Sequence, residues 1–510
     1  MAEFTICVVV ILFSIILTWL FGVSRKRQPR ANEPPLVNGW IPFLGVALSY
    51  GRNPLAFLRS TQKKHGDIFT CKIAGKYITF ITDPFSYSAV FRQGRNLDFQ
   101  KFALGFASKV FGHADFSDPA YSGSYDGIHS IFRQTLQGPA LEQLTTSMMD
   151  NTQIVMQRNT LPGWMKEGLQ KFTNRIMFEA GYMTLFGKDE RVLAEEDSVE
   201  KRPLMQKIIE DFLVFDKAFP EMAAGVPIHF CLRAFRAREA LAEMLHHKHL
   251  RRNHCLSALI ERRIDAFDRI SHVIDELGKA RTHLSMLWAS QANTLPSAFW
   301  SLYYMLRSPG ALNAAQREVD RVLRESDHNP VIPGRPLILS KEQLDSMSVL
   351  GSIIEEALRL SSASIMIRVV NHDFTLALDS GLTRDIRKGD YIAMYPQMIH
   401  MDPEIYENPT EFRFDRYLDE NGQKKTDFYK NGRRLKQFLI PFGSGTSECP
   451  GRFFAMCEIK QFLALVVWHY EMELEDVENS PLTTDSTRAG LGILPPKRDV
   501  ELRYRSREHA

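Results

Sequence analysis

Little in this chain would staple it or assemble it by charge. Six cysteines stand singly among 510 residues, at Cys7, Cys71, Cys231, Cys255, Cys449 and Cys457. The absence of any C-x-x-C pair argues against a zinc site or a disulfide ladder and suits a reducing compartment. Net charge is only +3, so no global field recruits nucleic acid. No internal repeat and no low-complexity segment interrupts the sequence. An apolar share of 44% against 24% charged is an ordinary globular balance, and the length suffices for one large core.

One stretch lacks charge altogether. Phe4 to Ser24 is mostly apolar and is followed at once by Arg25, Lys26, Arg27 and Arg30. About twenty residues at ~1.5 Å rise cross a ~30 Å hydrocarbon layer. The basic cluster lies on the C-terminal flank and no small-residue cleavage site follows. This predicts an uncleaved single-pass anchor with the body on the cytosolic side. The prolines from Glu33 to Gly45 stiffen the next segment into a hinge. The division is an anchor over 1–24, a basic, proline-rich hinge over 25–45, and a catalytic body over 46–510.

Within the body, Ile68 to Ile73 and Tyr77 to Ile81 read as strands joined by a turn at Ala74-Gly75-Lys76. Residues 141–360 read mostly as helix from their 3.6-residue apolar spacing, and strands return near 374–378 and 500–504. The fold class is mainly α with a smaller β part. The apolar segment 219–230 reads either as a loop dipping into a membrane interface or as a buried interhelical loop.

The most informative residue is Cys449, in Phe442-Gly443-Ser444-Gly445-Thr446-Ser447-Glu448-Cys449-Pro450-Gly451. Glycines let a loop pass close to a flat partner. The apolar helix that follows turns its N–H groups and positive dipole end toward the sulfur, which favours the thiolate. A thiolate so presented is an axial ligand for heme iron. The spacing F-x-x-G-x-x-x-C-x-G resembles the heme-binding signature of the cytochrome P-450 superfamily. Further upstream, Glu356 and Arg359 share one helical face between apolar flanks, and Arg416 follows in Phe412-Arg413-Phe414-Asp415-Arg416. These resemble the superfamily's Glu-x-x-Arg helix and its partner arginine, which implies the cytochrome P-450 fold and a structural role for all three.

The resemblance implies a heme b group with Cys449 as iron ligand and Phe442, Gly445 and Gly451 shaping its loop. It implies propionate contacts from Arg368 and from Arg133, although His129 stands where tryptophan is usual. Ser447 occupies a position where the family commonly has Arg or His, and serine brings no charge. On the distal side, Leu287 to Thr294 places Ala292 and Asn293 where the family has an acid and a threonine. An amide donates a hydrogen bond but does not pass protons as a hydroxyl does. Asn293 and Thr294 are the catalytic candidates, with ordered water completing proton delivery. Pro296 has no N–H for the Ala292 carbonyl, so the helix is expected to open beside Asn293.

The segment from Leu287 to Trp300 is similar to the sterol 7α-hydroxylase branch of the superfamily. That resemblance implies oxidation of cholesterol at carbon 7 on its α face, with dioxygen and electrons from NADPH through a cytochrome reductase. It implies an endoplasmic reticulum membrane location and a sterol site lined by Trp288, Ala292, Asn293, Ser362, Ala363, Leu491 and Ile493. A basic run of Lys424, Lys425, Lys430, Arg433, Arg434 and Lys436 would attract an acidic electron donor. The rivals are an oxysterol 7α-hydroxylase, a reductase-independent heme-thiolate isomerase related to prostacyclin synthase, and a sterol-binding protein without catalysis.

Overall fold

The computed structural model describes residues 13–14, 27–41, 43–116, 118, 122–189, 203–325, 336–475 and 481–507. The expected anchor over 1–24 lies outside them except for Phe13 and Ser14. Among the described residues no helix is long and apolar enough to cross a membrane. The chain divides into two compact units.

The smaller unit gathers 1–102, 363–407 and 428–448 around a six-stranded sheet. Its strands are β1 (Leu36–Val37), β2 (Ile68–Ile73), β3 (Lys76–Ile81), β4 (Leu97–Asp98), β5 (Met366–Val370) and β6 (Tyr391–Met394), in the spatial order β1-β2-β3-β6-β5-β4. β2 and β3 form the expected hairpin, with Thr70 opposite Thr79 and their hydroxyls 2.8 Å apart. The turn is tighter than the sequence suggested. Ala74 and Gly75 both take positive φ, +46° and +79°, and Lys76 already belongs to β3. That is the two-residue hairpin geometry whose twist matches the strands. β5 pairs with β6 so that Arg368 lies opposite Ile392, and this register fixes where the arginine leaves the sheet.

The larger unit, 103–362, 408–427 and 449–510, is mainly helical. The helices that matter for the site are α1 (Ser122–Thr135), α2 (Gly138–Arg158), α3 (Leu169–Phe186), α4 (Pro203–Lys217), α5 (Glu276–Gln291), α6 (Thr294–Arg307), α7 (Ser348–Ser361) and α8 (Arg452–His469). Met165–Gly168 departs from the expected helical span. It joins Tyr470–Leu474 and Glu501–Ser506 in an antiparallel sheet, a long-range pairing that local periodicity does not carry. α7 begins without a cap from its own neighbour. The buried Glu318 carboxylate accepts the Val349 and Leu350 N–H groups at 2.8 and 2.9 Å, satisfying donors that a helix start leaves over.

Ala74 holds an exposed left-handed conformation that disfavours a Cβ by roughly 1 kcal/mol. Ala74→Gly is therefore expected to raise stability by about 0.5 kcal/mol after the extra unfolded-state entropy of glycine. Urea denaturation followed by tryptophan fluorescence checks this; a lower midpoint would contradict it.

Candidate functional site

In the larger unit a single carboxylate organises the segment 409–417. Arg359 Nε and Nη2 donate to Glu356 at 2.7 and 2.8 Å, and Arg416 Nε donates to the same carboxylate at 2.8 Å. The Arg413 N–H adds a bond at 3.2 Å. Arg359 then reaches the carbonyls of Pro409, at 2.6 Å, and Glu411, at 3.3 Å. Glu356 and Arg359 have no exposed surface. A charge cluster this dry persists only when every partner is present. It clamps the chain leading into the loop segment onto the middle of α7.

The Cys449 loop begins in the smaller unit. Gly443 has φ +72°, and a Cβ there would lie 2.8 Å from the Ser447 carbonyl, so the turn demands glycine. Gly445 also takes positive φ, and its position faces the Phe91 ring. Phe442 is half-buried. Arg368 is 2% exposed and its guanidinium lies over Phe91, 5.2 Å from the ring centroid. Nη2 donates to Ser447 Oγ at 2.8 Å, while Nη1 has no hydrogen-bond partner among the described residues. Burial pulls this guanidinium down to about 10, and no carboxylate among the described residues opposes the shift. A buried cation with an unused donor and no counter-ion is a cradle for an anion. Ser447 does not replace the cation that the family commonly has at its position; it orients Arg368.

Cys449 and Gly451 begin the loop's continuation in the larger unit. Cys449 is half-buried, and its sulfur lies beside Gly451, the residue that precedes α8. A Cβ on Gly451 would make only ordinary contact, 3.9 Å from the sulfur, so local sterics do not require glycine there. Cys71 and Cys457 differ in kind: burial pushes both thiols up, Cys71 to about 12, which makes them inert. Arg133 stands exposed on α1.

The distal segment breaks as Pro296 predicts. α5 ends at Gln291 and α6 starts at Thr294, with Ala292 and Asn293 between them. Both keep right-handed helical dihedrals, so what is lost is the hydrogen-bond ladder and not the path. Pro296 has no N–H, and the Ser297 N–H bonds to the Asn293 carbonyl at 3.1 Å. Asn293 Oδ1 accepts from the Ile493 N–H at 2.9 Å. Gly492 passes so close to that amide that no Cβ fits. With its oxygen engaged, the Asn293 amide keeps Nδ2 as an available donor. Ile493 in turn bridges to Ser362, whose buried hydroxyl has no partner among the described residues. The structure thus brings Ala292, Asn293, Ser362 and Ile493 together, with half-buried Leu491 on the same loop. Ala363 is buried in the other unit.

Two expected residues have duties that the sequence did not reveal. Trp288 stacks flat on Phe219, centroids 3.9 Å apart, and donates its indole N–H to Asp216 at 2.8 Å. Asp216 also pairs with Arg488. Phe219 is therefore interior, whereas Phe230 at the far end of the segment and Leu232 just beyond it are 80% and 63% exposed; the segment 219–230 is half interhelical and half surface. Thr294 donates to Glu458 on α8 at 3.0 Å, so its hydroxyl is engaged and not open at the break. Glu458 is buried and its carboxyl is pushed up to about 8 by desolvation. It is the lone acid of α8, an otherwise mostly apolar helix, and that was the available sequence signal for it. Three cations of the basic run have ion pairs within their own unit. Lys430 pairs with Asp402 and Glu404, Arg433 with Asp379, and Lys424 with Glu355, while Lys436 is exposed.

The sequence model of the cytochrome P450 family matches residues 34–502. Cytochrome P450 7A1 of Oryctolagus cuniculus is 48% identical over 96% of this chain and 96% of its own length. Cholesterol 7-alpha-monooxygenase of Cricetulus griseus is 47% identical over 95% of this chain and 96% of its own. Among solved structures, the heme domain of a cytochrome P450DA mutant superimposes with a TM-score of 0.67 at 19% identity, covering 93% of this chain and 98% of that one.

Glu356→Ala leaves two buried arginines without their anion and is expected to cost 3–5 kcal/mol, about the scale of a broken buried pair, measured by chemical denaturation. Glu458 works through linkage. Its folded pKa lies above the ordinary 4.5, so its contribution is full below that value and is lost as pH rises toward 8. Glu458→Gln removes the titration. Relative to wild type it should gain on the order of 3 kcal/mol between pH 5 and pH 8, and a constant difference across that window would contradict the assignment.

Proposed function

The chain belongs to the cytochrome P450 family, and on that premise we propose that it hydroxylates cholesterol at the 7α position. The observation that carries this reading is the 47% identity to a cholesterol 7-alpha-monooxygenase over 95% of the chain. Heme with thiolate-ligated iron is the family's cofactor, and it supplies oxygen activation when bound. Cys449 is its thiolate, presented at the start of α8 where N–H groups and the helix dipole favour the charged sulfur. Arg368, buried and lacking a counter-ion among the described residues, takes a heme carboxylate, and Arg133 is the second candidate for that role.

On the distal side Asn293 is the residue that meets the reacting partners. Its Oδ1 is held by the Ile493 N–H, which fixes the amide plane and leaves Nδ2 as the donor for dioxygen or sterol. The apolar neighbours Ala292, Ile493 and Leu491 suit a rigid sterol, and the unpartnered Ser362 hydroxyl offers it one polar contact. Selecting one C–H among many on such a scaffold is a matter of positioning.

Electrons come from NADPH through a flavoprotein reductase, and the body is held at the endoplasmic reticulum membrane by 1–24. The exposed Phe230 and Leu232 are apolar contacts toward lipid. Because much of the basic run is already ion-paired, exposed cations such as Lys436 carry any attraction to the donor.

In reconstitution with reductase and NADPH, cholesterol should be turned over faster than side-chain-hydroxylated cholesterols; the reverse order would make the protein an oxysterol hydroxylase. Product without NADPH would point to an isomerase. Asn293→Asp keeps the acceptor for Ile493 and loses the Nδ2 donor. It is expected to lower product formation about tenfold with sterol affinity nearly unchanged, the scale of one hydrogen bond. An unaltered rate would remove Asn293 from the chemistry.

A further inference from the structure

In the smaller unit the segment 397–406 grips 428–440, the stretch that runs into the Cys449 loop. The four-residue helix Gln397–His400 ends on a histidine with no exposed surface. His400 Nε2 accepts the Ile440 N–H at 2.9 Å. Further along, the Tyr406 hydroxyl donates to the Phe438 carbonyl at 2.9 Å. Its ring packs against Phe428, which stacks on Phe438 with centroids 4.5 Å apart. Between these two grips, Asp402 and Glu404 pair with Lys430, and Glu404 accepts the Asn431 N–H at 2.6 Å. The segment is itself tied down, because Arg59 from the helix Pro54–His65 donates to the Met401 carbonyl.

Ile440 is where this grip bears on the thiolate. It is 3% exposed, stands outside the strands, and is followed by Pro441. Proline has no N–H and confines the residue before it to extended backbone. The Ile440 N–H is therefore the last main-chain donor before Phe442 and the Gly443 turn, and a buried donor needs an acceptor. No ladder carbonyl receives it; an imidazole does, through the ring nitrogen that carries no proton. We propose that His400 is a positioning residue for the heme-thiolate centre. By holding the Ile440 N–H it sets the line on which the Cys449 loop enters, and with it the presentation of the sulfur. The chain between them transmits a shift instead of absorbing it. Pro441 is stiff, Gly443 lies against the Ser447 carbonyl, and Gln437 Nε2 closes the loop on Ser444 Oγ at 2.8 Å. The inference rests on the family's heme and on Cys449 as its ligand, and not on the choice of sterol.

His400→Met fills similar space without the acceptor, whereas His400→Gln returns one, its amide oxygen, at similar reach. In the full-length holoprotein, hydrogen exchange read by mass spectrometry on peptides covering Ile440 should speed about tenfold in His400→Met, the scale of one hydrogen bond. His400→Gln should stay close to wild type. After reduction under carbon monoxide, His400→Met should lose the Soret band of the thiolate-ligated form several-fold faster than wild type, and His400→Gln should keep it. Unchanged exchange in His400→Met would overturn the bond. Faster exchange with an unaltered Soret band would overturn the positioning role and leave His400 merely structural, and equal losses in both variants would show that the acceptor is not what matters. Where His400→Met does not fold, Tyr406→Phe removes only the hydroxyl that grips Phe438. It should give a smaller change of the same kind, and no change there would overturn the account. A wild type without the thiolate band would instead sink Cys449 as the ligand, and the exchange comparison would still decide the bond.

Discussion

Pro296 brings no N–H to the helix it sits in, so the Ala292 carbonyl one turn earlier must look elsewhere for a donor. That single missing bond separates α5 from α6 and leaves Asn293 at the junction. The amide oxygen takes the Ile493 N–H, which ties the C-terminal loop to the break. Ile493 then carries the connection to Ser362 at the end of α7. Asn293, Ile493 and Ser362 of the implied lining are thus joined by a chain of bonds that begins at the break.

The defect is tolerated because its surroundings are over-determined. Trp288, one turn before it, is fixed by the Phe219 ring and the Asp216 carboxylate. Thr294, just after it, is fixed by Glu458. Glu458 lies on the helix that starts beside Cys449, so a buried hydrogen bond links the break to that same helix. On α7, the cluster of Glu356, Arg359 and Arg416 clamps the segment 409–417 with no solvent to weaken it. Rigid elements around a locally unsatisfied backbone are what allow a weak spot to serve as a site.

The parts legible in the sequence were those with short-range causes. A proline four residues after Ala292 dictates the break, and an i,i+3 acid–arginine pair with apolar flanks dictates a buried cluster. Paired turn residues dictate the hairpin at Ala74-Gly75, although not that β3 begins as early as Lys76. What stayed hidden has long-range causes. Asp216 and Arg488 are 272 positions apart, and no local pattern announces that they meet. The strand at Met165–Gly168 exists because Glu501–Ser506 comes back to pair with it. Thr294 read as an open hydroxyl because the acid that engages it lies 164 residues away. The basic run read as an unspent charge because its counter-ions, Asp379, Asp402 and Glu404, lie outside it in sequence.

The central claim is that this distal arrangement, with a thiolate-held heme, presents one face of carbon 7 of cholesterol. Its most direct test is the fate of deuterium placed separately at the 7α and 7β positions, followed by mass spectrometry of the product from the full-length protein with reductase and NADPH. The account predicts loss of the 7α label with retention of the 7β label. Loss of the 7β label, or oxidation elsewhere with both labels kept, would contradict it.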